Sequence, residues 1–178
     1  MSVEEVSEQA ALNLLARIFY LVVPTEFQTY CSLTTEISRA ALLALGIKSK
    51  AVPCQLWCAT ADHNYVVGFL GKPEQPGKWD GHVMCSARGW FIDTALHHFV
   101  SDFGIEVPSV AVVRRFPPQT QVIGRLDLKD QKTLWWHSPP TGARSSVPKA
   151  PRELVSMYAE KLVLELRSLD KAVAENFA

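Results

Sequence analysis

From Cys31 to Leu45 the chain carries an amphipathic stretch, Cys31-Ser-Leu-Thr-Thr-Glu-Ile-Ser-Arg-Ala-Ala-Leu-Leu-Ala-Leu45, that constrains what can follow it. Leu33, Ile37, Ala40, Ala41, Ala44 and Leu45 recur at three- and four-residue steps, the period of a helix with one buried face. Gly46 then fits the left-handed residue that closes a helix, with Ile47 as its apolar follower. Such a face needs a partner surface, and strand-like sequence comes next. Residues 51–60, 65–70, 81–87, 90–94, 109–114, 121–126 and 133–137 are rich in β-branched, aromatic or apolar side chains. Only Arg88-Gly89 separates 81–87 from 90–94, which predicts a hairpin with a two-residue connection and a glycine available for positive φ.

Two further helices are expected. Val3 to Val23 places Val6, Ala10, Leu14 and Phe19 along one side and stops at Pro24. Arg152 to about Ala174 carries Val155, Tyr158, Leu162, Leu166, Leu169 and Val173 at helical spacing. Gly71 to Gly77 reads as a loop on its proline and glycine content, and 138–151, with four prolines, as a second. The order of helix, helix, several antiparallel strands and helix is that of an α+β fold. No internal repeat or low-complexity block interrupts it, and 178 residues suffice for a single domain over 1–178. Eighteen Lys and Arg balance eighteen Asp and Glu, which argues against non-specific nucleic-acid binding and against a polybasic membrane surface. Ile18 to Val23, the most apolar run, is far below the ~20 residues a bilayer span needs. Glu4, Glu5 and Glu8 stand where a signal peptide would be basic, so a cytoplasmic, reducing location is expected. There the four cysteines are packers, a nucleophile or metal ligands rather than a disulfide framework.

Chemistry is suggested first by Cys31. A thiol at the front of a helix meets unpaired amides and the positive end of the macrodipole, both of which favour the thiolate. With Arg88-Gly89 as the hairpin connection, His82 lies opposite Ala95 and Asp93 is its diagonal neighbour on the same sheet face. A carboxylate so placed fixes an imidazole tautomer. With the helix of Cys31 packed on that face, a thiol, a base and an orienting acid come together, the arrangement nucleophilic acyl transfer requires.

Cys31 with Thr35 and the run to Gly46-Ile47, a strand to Val52, then Gly81-His82-Val-Met and Trp90-Phe-Ile-Asp93-Thr94 resemble the core of the transglutaminase-like superfamily. The resemblance covers about residues 28 to 96, leaving 97–150 as additional strands and loop and 152–174 as the closing helix. It implies a papain-like fold in which a helix-start cysteine packs on an antiparallel sheet. It further implies Cys31 as nucleophile, His82 as general base and acid, and Asp93 as the orienting carboxylate. Tyr30 and Ser32 flank the cysteine where many members have glycine before it and tryptophan or an acidic residue after it. Gln28 is the nearby glutamine that could help hold an oxyanion, although its three-residue spacing departs from the papain-like pattern; the Cys31 amide is the safer donor. Arylamine acetyltransferases share the triad order, but their arginine-glycine-rich approach to the cysteine is absent, so acetyl-CoA is not inferred.

The expectation is a cysteine hydrolase that cleaves a peptide or amide bond in a peptide, protein or other amide substrate, through a thioester and without a cofactor. Hydrolysis is preferred to transamidation because no second, amine-binding site is indicated. Trp57, Trp79 and Trp90 are candidates for the walls of a substrate cleft, or simple core aromatics. Two other readings compete. One is a binding or scaffold domain that keeps the fold without the chemistry. The other is a structural zinc site from Cys54, Cys58, His82 and Cys85, but His82 and Cys85 are an odd number apart and would face opposite sides of a strand. No metal ligands are therefore assigned. His63-Asn64 and His97-His98 are expected in loops or at strand ends. Trp135-Trp136 either covers a sheet face or marks a partner surface, and nothing in the sequence fixes the number of subunits.

Overall fold

A computed structural model describes residues 3–71, 79–117, 120–143 and 146–176. Helix α1 (Val3–Val22) runs up to Pro24, and a short 3-10 turn (Thr25–Phe27) carries the chain into α2 (Cys31–Ala44). Strands β1 (Ser49–Ala59), β2 (Asn64–Val67), β3 (His82–Ala87) and β4 (Trp90–Asp93) follow, then a short α3 (His98–Phe103). Strands β5 (Ala111–Arg114), β6 (Val122–Asp127) and β7 (Thr133–His137) precede the long α4 (Arg152–Asn176). Gly46 closes α2 with φ 79°, and the Ile47 amide bonds back to the Leu42 carbonyl at 2.8 Å, the closure its sequence implies.

The seven strands form one sheet in the order β5-β4-β3-β1-β7-β6, with β2 added on β1. Every pairing is antiparallel. Beyond β5, the Phe116 amide reaches the Ile123 carbonyl at 2.8 Å, so the two outer strands of that order approach each other and the sheet nearly closes. The architecture is thus mixed α and β, with helices on a curved antiparallel sheet.

Strand alternation divides the core into two parts. Cys85, Ala87 and Ile92 face outward and pack with Leu12, Leu15 and Phe19 of α1, Leu33, Ile37 and Leu42 of α2, and Leu162 and Leu166 of α4. Met84 and Phe91 face inward with Cys54, Leu56, Leu134 and Trp136, filling the interior of the curved sheet. Apolar burial at roughly 25 cal/mol per Å² stabilises both parts.

Several local expectations change. Strand β2 ends at Val67 because Gly68 (φ 82°) and Phe69 (φ 55°) turn into the left-handed region. At the β3–β4 connection it is Arg88 that takes the positive φ, 46°. His97 lies in the turn ahead of α3, as expected of a loop residue, but His98 is helical. His97 caps α3 and His98 begins it, and Gly104 closes it with φ 67°. Of the expected loop from Gly71 to Gly77, residues 72–77 lie outside the described residues, as does the side chain of Val173.

Candidate functional site

The β3–β4 register pairs Cys85 with Ile92, Ser86 with Phe91 and Ala87 with Trp90, so Arg88-Gly89 is the two-residue connection. That register brings His82, at the start of β3, beside Asp93, at the end of β4. His82 Nε2 and Asp93 Oδ2 are 2.8 Å apart, and both side chains are buried, 0% and 1% exposed. Two further donors hold the carboxylate: Trp136 Nε1–H to Oδ2 at 2.6 Å, and the Ala95 amide to Oδ1 at 3.0 Å. Burial disfavours the charged form of Asp93, but the His82 charge and hydrogen bond, with the Trp136 and Ala95 donors, outweigh it and hold the carboxyl below its usual range. An ionised carboxylate can only accept, so Nε2 carries the hydrogen and Nδ1 is left for another partner.

Cys31, the first residue of α2, is the candidate for that place. Its thiol lies beside the imidazole and acts on it. Burial alone would lower the His82 pKa, yet the Asp93 charge and hydrogen bond together with Cys31 lift it to about 10. Nδ1 is buried and makes no aligned hydrogen bond, leaving it available to move a proton. The Cys31 amide belongs to the first turn of the helix, where N–H groups have no intrahelical acceptor. Cys31 packs with Val83 and Ala95, against Ala51, Trp79 and Val147, and is 8% exposed.

One expectation about this assembly is corrected. Helix α2 does not pack on the face that carries His82 and Asp93. Its apolar side rests on the opposite, Cys85 and Ile92 face, and Thr35 Oγ1 donates to the Val83 carbonyl at 3.0 Å. The inward face is already filled by the sheet's own Met84, Phe91 and Trp136, so no helix fits there. Cys31 reaches the imidazole from the helix tip, at the edge where β3 begins.

The other candidates are scattered. Gln28 ends the 3-10 turn, its amide bonded to the Thr25 carbonyl at 3.1 Å. Trp79 packs on the Cys31 cluster and edge-on to Phe69, with centroids 6.0 Å apart. Trp57 sits on the outer sheet surface over His137, with ring centroids 5.2 Å apart, its Nε1–H donating to Gln55. Trp90 packs into the helix-side core, at the hairpin end remote from His82. Two glycines shape the site wall: a Cβ on Gly68 would meet the His82 backbone nitrogen at 2.6 Å, and one on Gly81 would meet the Trp79 ring at 2.3 Å. Among the described residues no three His, Cys, Asp or Glu side chains converge as metal ligands. No described helix is long and apolar enough to cross a membrane.

Sequence reasoning missed two residues here. Trp136 was visible only as half of a Trp-Trp pair without a direction. His98 Nε2–H donates to the Thr29 carbonyl at 2.9 Å and so ties α3 to the turn just ahead of Cys31. No family model, curated protein or solved structure matches the chain, so the transglutaminase-like resemblance rests on its own residues.

Proposed function

We propose that this chain is a papain-like, transglutaminase-like cysteine hydrolase that cleaves an amide bond in a peptide, protein or smaller amide through a thioester on Cys31. The observation that carries the reading is the buried His82–Asp93 pair, 2.8 Å apart, with its unpartnered Nδ1 beside a helix-start cysteine. In the proposed step the Cys31 thiolate forms a C–S bond to the acyl carbon, and the carbonyl electrons move to oxygen. Amides of the first helical turn stabilise that oxyanion, with Gln28 as a candidate side-chain donor. As the carbonyl re-forms, the C–N bond breaks and Nδ1–H of the imidazolium protonates the leaving amine. Water then attacks the thioester, His82 accepts its proton, and the thiol and the carboxylic acid are released. Trp79, against the Cys31 cluster, is the best placed of the tryptophans to touch the acyl group. Trp57 could meet only a more distant part of a long substrate.

A short reaction with a chromogenic amide or ester, followed by mass measurement of the intact protein, tests this. The expected result is an acyl adduct on Cys31, discharged by hydroxylamine and absent in Cys31→Ser and His82→Ala. Turnover retained in Cys31→Ser would overturn the reading. A second reading, a binding domain without chemistry, is favoured by the 8% exposure of Cys31 among apolar neighbours. It requires that no adduct form with any acyl donor.

A further inference from the structure

We propose that Trp136 is a positioning residue for the Cys31–His82 pair, its indole holding Asp93 from the interior of the sheet so that the carboxylate stays aimed at the imidazole; this rests on Cys31 being the nucleophile. Asp93 is anchored by groups from three places in the chain. His82 of β3 and Trp136 of β7 both reach Oδ2, at 2.8 and 2.6 Å, and the Ala95 amide reaches Oδ1 at 3.0 Å. Two donors on one oxygen and a third on the other fix both the position and the plane of the carboxylate. Without Trp136 the carboxylate would be held only by its own hairpin and could swing with it.

The surroundings are built for the indole. Trp136 is fully buried, opposite Leu56 of β1 and Gly124 of β6, where β6 carries an irregularity between Val122 and Gly124. A Cβ on Gly124 would stand 3.6 Å from the indole and 3.1 Å from Val113, so this strand offers the ring a bare backbone. The titratable groups around Asp93 are His82, the Cys54 thiol and the Tyr20 hydroxyl, which donates to the Thr94 carbonyl; Cys31 lies beyond the imidazole. Each of these can gain or lose a proton. The indole N–H is a donor only, so it anchors the carboxylate identically at every accessible pH.

Trp136→Phe keeps the ring and removes the donor. The pH profile of Cys31 labelling by iodoacetamide should depart from wild type and its plateau rate should fall several-fold, because a carboxylate no longer held from the interior leaves the imidazole less well aimed. A folded variant with the wild-type pH profile would overturn the proposal while leaving the enzyme reading intact. Wild-type Cys31 that labels no faster than the other thiols would instead overturn the enzyme reading and this role with it. Should Trp136→Phe not fold, the wild-type protein decides by NMR. The Trp136 indole proton should resonate downfield, exchange slowly with solvent and move back in Asp93→Asn. An indole signal indifferent to Asp93→Asn overturns the proposal.

Discussion

The two faces of the β3–β4 hairpin serve different ends. Its outer face, with Cys85, Ala87 and Ile92, is apolar and packs against three helices. Its inner face is equally buried, but it begins with a hydrogen-bonded imidazole and carboxylate, reached by the Trp136 indole of β7, before Met84 and Phe91 join the apolar interior. A buried ion pair adds little net stability, because removing two charges from water cancels much of their attraction. Apolar burial on the outer face and at Met84 and Phe91 therefore holds the fold, and the polar end of the inner face is the part assigned to the proposed chemistry. Substitutions on the two faces should separate accordingly.

The largest effect belongs to the inner face. Asp93→Asn removes control of the His82 tautomer at nearly constant shape, and turnover of an amide substrate should fall by about 10³- to 10⁴-fold, with circular dichroism unchanged. Next comes the outer face. Ile92→Ala should cost about 2–5 kcal/mol in a denaturant titration, with the alkylation rate of Cys31 unchanged in the folded fraction. Loss of labelling in that variant would break the separation.

Stability against pH sharpens the comparison further. His82 rises from 6.5 to about 10 on folding, so its contribution is fully present below pH 6.5 and is lost as pH climbs through 10. Asp93 is shifted down, so its contribution is present above its unfolded value of 3.8 and is lost as pH falls through the lower folded value. Burial pushes the Cys85 thiol up to about 12 and Cys54 well above its usual value, which adds to the alkaline loss only above about pH 9. Thermal melts should therefore fall from pH 6.5 toward 9 in wild type and flatten over that window in His82→Gln. The smallest effect is expected from Thr35→Val, which removes the 3.0 Å bond fastening α2 to β3 and should cost about 1 kcal/mol. Because that bond lies one helical turn from Cys31, labelling should slow slightly; no change would show that the helix tip is held by packing alone.

What the sequence made legible was local. The α2 period with Gly46 behind it, and the two residues between β3 and β4, were enough to place α2 and to set His82 beside Asp93, since period and connection length determine which side chains share a face. Helix α3 was hidden because six residues, His98 to Phe103, are too short for a helical period to emerge. The side of the sheet taken by α2 was hidden too: it depends on the sheet curling so that Met84, Phe91 and Trp136 fill the interior first. Trp136 donates to Asp93 across 43 residues of chain, a contact no local pattern encodes. Alternation through Leu134 and Trp136 assigns them one face of β7 but does not say which face is inward.

Competitive labelling of the four thiols tests the central claim most directly. Cys31, Cys54, Cys58 and Cys85 are all free and all buried; Cys54 is the partner of His82 across β1 and β3, Cys31 is the one thiol at a helix start, and burial raises the Cys54, Cys58 and Cys85 thiols. Native protein treated with limiting iodoacetamide near neutral pH, digested and read by mass spectrometry, should carry carbamidomethyl on Cys31 well before the others, and His82→Ala should erase that lead. Four thiols labelled at similar slow rates would contradict a nucleophile at Cys31.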